Sequence, residues 1–217
     1  LAIDQPLGYE LKANASITSR FYVTGQPYIE SILNLCGRPT NPPTTTFAFF
    51  AGGRPPKGLK FNGVESGPEI ARMFLEPVIA DKHIRVLIKP HPTDDRRSWA
   101  QWHGKQCRPD QERFFVTDEP VETLLNSVHG VMGLTSIALV IAGLIGLPVL
   151  SLQEADTIWS NRKLEEMDNI YLARCPSILS DGVEFLLKNK SSNLVNKQVR
   201  GDFAASAERT IDAIKKE

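Results

Sequence analysis

Short apolar runs that alternate with helical segments constrain the fold of this chain more than any other feature of its sequence. The runs TFAFFA, IRVLI and LPVLSL are largely apolar, which is typical of strands in a parallel sheet covered on both faces. The segments between them, such as SGPEIARMFLEPVIA and TSIALVIAGLIG, have the apolar spacing of helices. The alternation predicts an α/β fold, a Rossmann-like and mainly parallel sheet with helices on both faces.

The predicted elements follow one another along most of the chain. We expect strands at residues 19–24, 46–51, 84–90, 113–118, 130–134 and 147–152. We expect helices at 25–36, 66–80, 119–128, 135–146 and 204–216, and one around Trp99 and Trp102, whose rings either anchor it or stack on a ligand. The helix at 135–146 is apolar all round and should be buried on every side. Residues 1–18 are an extension or linker in this prediction, and residues 19–217 are one domain.

Charge and cysteine content exclude several classes of protein. The 25 basic and 25 acidic residues cancel, so we expect no nucleic-acid partner and only a local anion site. Three scattered cysteines and four histidines without H-x-x-x-H spacing predict reduced thiols, a cytoplasmic location and no metal. The apolar run from Ile137 to Leu152 is too short for a membrane span, which leaves only peripheral association at the inner membrane face. Because the chain begins at Leu1 without a signal peptide, we expect a fragment or processed form.

Glycines and polar residues collect where four predicted strands end. Ligands of open parallel sheets bind beyond the carboxyl ends of the strands. Those ends carry Gly52-Gly53-Arg54, Lys89-Pro90-His91-Pro92, Thr117-Asp118-Glu119 and Gly133-Leu134-Thr135-Ser136. The last set opens a helix, where free backbone N–H groups favour an anion, and the two prolines around His91 stiffen its backbone. Together these residues suit a phosphate or diphosphate.

Each of these signals also has a structural explanation. Gly52-Gly53 would suit a simple turn, and Thr135-Ser136 would suit N-caps, which are worth about 1 kcal/mol each. His91 taken alone is compatible with a structural role, and Asp118-Glu119 with a solvated loop before a helix. The glycines do not form a kinase-type phosphate loop, because the G-x-x-x-x-G-K-[ST] pattern is not present. The joint placement of the four sets at one edge of the sheet favours a functional site.

Four segments, in the order FAFFAGGR, IRVLIKPHP, RFFVTDEPVETLLNSVHGVMGLTSIALVIAGLIGLPVLSL and GDFAASAERTIDAI, resemble the C-terminal half of GT-B glycosyltransferases. The resemblance covers residues 19–217 and is nearest to the bacterial surface and capsular polysaccharide branches. These include CDP-glycerol glycerophosphotransferases, capsule transferases that use CMP-Kdo, and sialyltransferases with an HP motif and a later serine/threonine pair. The sequence is also similar to lipid-A-disaccharide synthase and to non-hydrolysing UDP-GlcNAc 2-epimerase. KPHP is the most specific of the shared motifs.

The resemblance implies a site for a nucleotide-linked donor. The residues implied in binding it are Gly52, Gly53, Arg54, Lys89, His91, Asp118, Glu119, Thr135 and Ser136. His91 is the catalytic candidate, since it would contact the phosphate or leaving group, while the loop at Asp118-Glu119 would lie against the nucleobase. No cofactor or metal is implied, because the donor, a nucleotide sugar or a CDP- or CMP-linked unit, is the substrate. The HP motif favours cytidine slightly over uridine.

One position departs from the family pattern. The family usually places an acidic residue, which holds the nucleotide ribose, just before the alanine of its EA motif, and this chain has Ile141 before Ala142. An isoleucine cannot accept a hydrogen bond from a ribose hydroxyl. Either the donor is held in another way, or part of the donor site has been lost.

Three functions remain open at this stage. The chain is the donor half of a glycosyltransferase or glycerophosphotransferase of surface polysaccharide synthesis, a relative of the non-hydrolysing epimerase, or a non-catalytic GT-B-like binding module. In the first case the general base belongs to an N-terminal half that this chain lacks. We therefore expect the chain alone not to catalyse transfer. The sequence does not identify the sugar, the acceptor or the oligomeric state.

Overall fold

The elements of the fold are taken from a computed structural model of the chain. The structure describes residues 27–36, 42–52, 67–106, 113–153, 164–165, 167–190, 208 and 211–212. Its strands are β1 (Thr45–Phe50), β2 (Ile84–Lys89), β3 (Phe114–Val116), β4 (Gly130–Gly133), β5 (Val149–Leu152) and β6 (Ile170–Ala173). Its helices are α1 (Pro27–Leu35), α2 (Gly67–Ile79), α3 (Arg96–Gln106), α4 (Val121–Asn126), α5 (Ile137–Leu144) and α6 (Leu179–Asn189), with a 3-10 turn at Pro176–Ile178.

The six strands form one sheet in the order β3-β2-β1-β4-β5-β6, and every neighbouring pair is parallel. The chain runs from β1 outward to β3 and then returns to place β4 on the other side of β1. This is the strand order of the doubly wound Rossmann fold. The predicted α/β class and the parallel sheet are confirmed.

Helices cover both faces of the sheet because its central strands are apolar on both faces. On one face, Ala48 and Phe50 of β1 belong to a core shared with α1, α4 and α5. On the other face, Phe47 and Phe49 belong to a core shared with α2, α3 and α6. Residues Phe47 to Phe50 are at most 3% exposed, so β1 lies at the centre of both cores.

Helix α5 is buried along all of its residues except Ile137, as its all-round apolar sequence predicts. It begins at the N-cap Ser136, whose Oγ accepts a hydrogen bond from the Ala138 N–H at 3.3 Å. The helix ends at Leu144, and two residues later Gly146 has a φ of 91°, a conformation that glycine adopts without strain. The N–H groups of Gly146 and Leu147 then donate to the Gly143 and Ala142 carbonyl oxygens. This pair of hydrogen bonds is the Schellman motif, and it fixes the C-terminus of α5.

Strand β6 and helix α6 are absent from the sequence prediction, which expects no element between residues 153 and 203. β6 is a four-residue strand at the sheet edge with three half-buried residues, so it lacks a continuous apolar run. α6 contains Gly182, where a Cβ atom would lie 2.2 Å from Leu150 Cδ1, and the glycine weakens the helical signal. Residues 1–18 and the predicted strand 19–24 lie outside the described residues, as does most of the predicted helix 204–216.

His129 joins β1 to β4 at the amino edge of the sheet, opposite the strand ends that carry the predicted site. Its Nδ1 accepts a hydrogen bond from the Thr46 backbone N–H at 3.1 Å, and the residue is 7% exposed. Burial, with a smaller contribution from the nearby Lys190, lowers the pKa of His129 below its ordinary value. The folded protein therefore favours the neutral imidazole.

We expect the free energy of unfolding to decrease as the pH falls below about 6.5, the ordinary histidine pKa. In that range the unfolded chain binds a proton at His129 more readily than the folded chain does, so acid favours unfolding. Chemical denaturation at a series of pH values measures this dependence. The variant His129→Asn keeps a hydrogen-bond acceptor near Thr46 but cannot titrate, so its stability should depend less on pH. Equal pH dependence of the two proteins would contradict the prediction.

Candidate functional site

The strand order creates a crevice at the carboxyl ends of β1 and β4. β1 leads into α2 on one face of the sheet, whereas β4 leads into α5 on the other face. The loops after these neighbouring strands diverge, and ligands of open parallel sheets bind at such a switch point. We define the crevice by Gly52 after β1, His91 after β2 and Thr135-Ser136 after β4.

Glycines bring two backbones together in the crevice. A Cβ atom on Gly133 would lie 2.6 Å from the Phe50 carbonyl oxygen, so only glycine fits against the neighbouring strand. A Cβ atom on Gly52 would lie 3.7 Å from Leu134 Cβ, so the loops after β1 and β4 are neighbours. A ligand between them can approach both backbones closely, since Gly52 has no side chain to exclude it.

The start of α5 lies at the mouth of the crevice. Thr135 is exposed and Ser136 is half-buried. The Ser136 side chain satisfies the Ala138 N–H, whereas the first turn of a helix contains further N–H groups that have no partner within the helix. These groups and the helix dipole favour an anion at this position.

A tight turn positions His91 directly after β2. The Asp94 N–H donates to the His91 carbonyl oxygen at 2.9 Å, and the His91 N–H donates to Asp94 Oδ2 at 3.1 Å. Asp94 Oδ2 also accepts a hydrogen bond from Trp99 Nε1 at 3.0 Å, and Trp99 is 1% exposed. The buried indole thus anchors the turn that carries His91. The interpretation of Trp99 as an anchor of its helix is confirmed.

Lys89 is engaged with the neighbouring strand end. Its Nζ donates to the Asp118 carbonyl oxygen at 3.0 Å, while the Asp118 carboxylate forms an ion pair with Arg96 at the start of α3. Burial, followed by repulsion from Arg96, lowers the pKa of Lys89 below its ordinary value. Lys89 therefore ties the ends of β2 and β3 together, and one of its three N–H donors is not available to a phosphate.

A buried polar chain supports the loop after β4. Ser151 Oγ donates to the Leu134 carbonyl oxygen at 2.5 Å, and Gln153 Nε2 donates to Ser151 Oγ at 2.8 Å. Ser151 and Gln153 are at most 1% exposed. Because Leu134 immediately precedes Thr135-Ser136, these bonds fix the backbone that leads into α5.

The structure brings part of the predicted site together. Gly52, His91 and Thr135-Ser136 follow β1, β2 and β4. Neighbouring strands are about 4.8 Å apart, so β2 and β4 lie roughly 10 Å apart on either side of β1. Asp118-Glu119 follows β3, one strand further out than His91. Gly53 and Arg54 lie outside the described residues.

Polar residues that shape the crevice are missing from the sequence prediction. They are Asp94, Arg96, Ser151 and Gln153. Asp94 lies three residues after His91, a spacing typical of a turn closed by an aspartate. Ser151 interrupts a buried apolar strand, and a polar group in such a place requires a partner. Arg96 has no comparable signal, because the partner of an exposed cation depends on loop geometry.

Ile141 is enclosed by the hydrophobic core. It is 1% exposed and belongs to the core that α5 shares with the sheet. The resemblance leads one to expect, at this position of α5, an acid that holds the ribose. The position is instead occupied by a buried apolar side chain. The departure seen in the sequence is thus matched by an apolar environment.

An open groove at the amino edge of the sheet is separate from this crevice. It lies between α2 and α6 and is lined by Pro77, Ala80, Asp81, Lys82, His83, Ile84, Val183 and Leu187. Ligands of doubly wound sheets bind at the opposite edge, so the groove is not part of the candidate site. Within the described ranges, no group of three or more His, Cys, Asp or Glu residues is arranged to hold a metal ion.

The strand order and the switch-point crevice define the class of fold: the chain is a Rossmann-like half of the GT-B fold. It is similar over 98% of its length to a Listeria monocytogenes protein assigned as a UDP-N-acetylglucosamine 2-epimerase, with 17% identity and a TM-score of 0.65. It is similar over 99% of its length to S. aureus MnaA solved with UDP, with 12% identity and a TM-score of 0.63. Spinosyn forosaminyltransferase SpnP matches over 93% of the chain, with 12% identity and a TM-score of 0.50.

These similarities concern the fold alone, because the sequence identities are low. No protein-family model and no curated protein matches the chain. The chain spans 57% of the Listeria protein, 58% of MnaA and 49% of SpnP, so it corresponds to about half of each. None of the helices in the described part of the chain has the length and hydropathy of a membrane span.

Proposed function

We propose that this chain is the donor-nucleotide-binding half of a transferase of surface polysaccharide synthesis. The reaction would move a sugar, or a related phosphate-linked unit, from a nucleotide to a hydroxyl group. The observation that carries the proposal is the convergence of Gly52, His91 and the start of α5 on the crevice between β1 and β4. A ligand in the crevice can contact the backbone at Gly52, the imidazole of His91 and the N-terminus of α5, all of which suit a phosphate.

The chemistry that such a site favours is the departure of a nucleotide phosphate. Negative charge increases on the phosphate as its bond to the transferred unit breaks, and donors held in place before the reaction stabilise that charge. His91 is the proposed catalytic residue, and Thr135-Ser136 would bind the same phosphate from the start of α5. The acceptor and the general base would come from a second half, so we expect no transfer by this chain alone.

We expect a pyrimidine nucleotide to bind this chain and to raise its Tm, because a ligand that binds only the folded state stabilises it. Calorimetry with CMP, CDP, UMP and UDP compares two bases and two phosphate numbers. The diphosphates should bind more tightly than the monophosphates, since a second phosphate can span more of the crevice. Affinity should fall as salt is added, because salt screens the attraction of the anion.

The outcome that would contradict the proposal is the failure of all four nucleotides to bind more tightly than about 1 mM, an affinity of roughly 4 kcal/mol. A non-catalytic module with a degenerate pocket would then be the better assignment. The apolar surroundings of Ile141 support that assignment, because the crevice lacks an acid at this position.

An epimerase-like function is the second candidate. The structures that match with TM-scores of 0.65 and 0.54 carry the name UDP-N-acetylglucosamine 2-epimerase, and MnaA was solved with UDP. These names support uridine where the HP motif favours cytidine. Product analysis with UDP-GlcNAc, on the chain joined to its second half, separates the two functions: an epimerase changes the sugar without an acceptor, whereas a transferase requires one.

A further inference from the structure

We infer that Thr93 holds the imidazole of His91 in the tautomer that carries its proton on Nε2. Thr93 is then a positioning residue, which makes Nε2 of His91 a hydrogen-bond donor rather than an acceptor. The tautomer itself follows from the contacts of the turn. Its purpose, the binding of a phosphate, rests on the proposed function.

Two groups of Thr93 converge on Nδ1 of His91. The Thr93 backbone nitrogen lies 3.3 Å from Nδ1, and the Thr93 Oγ1 lies 2.8 Å from it. A backbone N–H can only donate, so Nδ1 must accept and therefore carries no proton. A neutral imidazole has one N–H, which must then be on Nε2. Among the described contacts of His91, none engages Nε2.

The turn that holds Thr93 against His91 is fixed at both ends. Pro90 is buried at the end of β2. Asp94 bonds the backbone of His91 in both directions, at 2.9 and 3.1 Å, and its carboxylate is held by Trp99 Nε1. A ring flip of His91 would lose the Thr93 contacts while the backbone stayed in place. The turn thus favours one orientation of the ring and one tautomer.

The tautomer matters because a phosphate oxygen only accepts hydrogen bonds. An Nε2–H donates to such an oxygen, whereas an unprotonated Nε2 would direct a lone pair toward negative charge. When only a fraction of the molecules is competent to bind, the apparent dissociation constant rises by the inverse of that fraction. The hydroxyl of Thr93 would therefore increase affinity without touching the ligand.

Nitrogen-15 NMR of the histidine side chains at alkaline pH tests the tautomer directly, without any ligand. We expect Nδ1 to have the shift of an unprotonated nitrogen and Nε2 that of a protonated one. Thr93→Val removes the closer donor and should increase the Nδ1–H form, while Thr93→Ser should restore the wild-type spectrum. Thr117→Val is the matched control, since the Thr117 hydroxyl also bonds a backbone N–H two residues on but does not touch His91. An unchanged His91 spectrum in Thr93→Val would overturn the inference.

Calorimetry with CDP and UDP tests the purpose of the tautomer. Thr93→Val should weaken binding roughly two- to tenfold, the range for loss of one uncharged hydrogen bond, while Thr93→Ser should retain it. His91→Gln places an amide N–H near the former Nε2, whereas His91→Asn places one near Nδ1. We expect the glutamine variant to bind more tightly than the asparagine variant, and the reverse order would overturn the inference.

Failure of this inference and failure of the proposed function give different results. If His91→Ala weakens nucleotide binding but Thr93→Val changes neither spectrum nor affinity, the inference is wrong and the proposed function stands. If Thr93→Val changes the tautomer but no variant of His91 alters nucleotide binding, the tautomer is as inferred and the proposed function is wrong.

Discussion

Replacement of His91 by alanine is expected to weaken the binding of CDP or UDP by about ten- to a hundredfold. A hydrogen bond to a charged group contributes roughly 1.5–3 kcal/mol, and the turn of Asp94 and Trp99 holds His91 at the crevice before the ligand arrives. The loss should be in affinity and not in stability, because His91 is only half-buried. Calorimetry on the variant and on the wild-type chain measures the affinity, and thermal unfolding without ligand measures the stability.

His83 provides the matched control for this experiment. It precedes β2 at the amino edge, whereas His91 follows the same strand at the carboxyl edge, and its side chain is exposed. His83→Ala should therefore leave nucleotide affinity unchanged. His129 is a poor control, since it is buried and bonded to Thr46, and its loss would affect folding. Equal affinities of His91→Ala and His83→Ala would contradict the assignment of the crevice as a phosphate site.

The central part of the fold could be predicted because its signal is local. β1, β4 and β5 are short, largely apolar runs that are buried along almost their whole length, and α5 is apolar on all sides. Such runs can be buried only between two layers of helices. Right-handed crossovers between successive parallel strands then restrict the possible strand orders of the sheet.

β6 and α6 could not be predicted, because their signals come from neighbours. Only one residue of β6 is fully buried, and the strand is held by its pairing with β5. α6 depends on contact between Gly182 and Leu150, where the missing side chain is an advantage only once the helix lies on the sheet. A pattern read along the chain gives no information on such a contact.

The candidate site, like the fold, could be predicted only in part. The positions of Gly52, His91 and Thr135-Ser136 follow from where their strands end, which the sequence indicates directly. The hydrogen bond from Lys89 Nζ to the Asp118 carbonyl oxygen could not be predicted, since it depends on how two loops approach each other. The chain of bonds from Gln153 through Ser151 to Leu134 likewise depends on the pairing of β4 with β5.

The second large effect is expected from Ile141→Glu, which introduces the acid that the resemblance to GT-B glycosyltransferases leads one to expect here. Ile141 is enclosed by the core of α5 and the sheet, so a carboxylate there would be buried without a partner. An uncompensated buried charge costs about 3–5 kcal/mol, and in a chain of this size each kcal/mol lowers Tm by roughly 2–4 °C. We expect the variant to unfold at much lower temperature and to bind nucleotide no more tightly.

Ile137→Glu is the matched control, because it places the same charge on α5 without burying it. Ile137 lies in the first turn of the same helix and is 42% exposed, where an acidic side chain interacts favourably with the helix dipole. The stability of Ile137→Glu should match that of the wild type. The negative charge beside Thr135-Ser136 should nevertheless weaken nucleotide binding. If Ile141→Glu were instead as stable as Ile137→Glu and bound CDP or UDP more tightly than the wild type, position 141 would face the ligand. The chain would then have a donor site that a single substitution restores, and its apolar residue would mark a loss of function rather than a different way of holding the nucleotide.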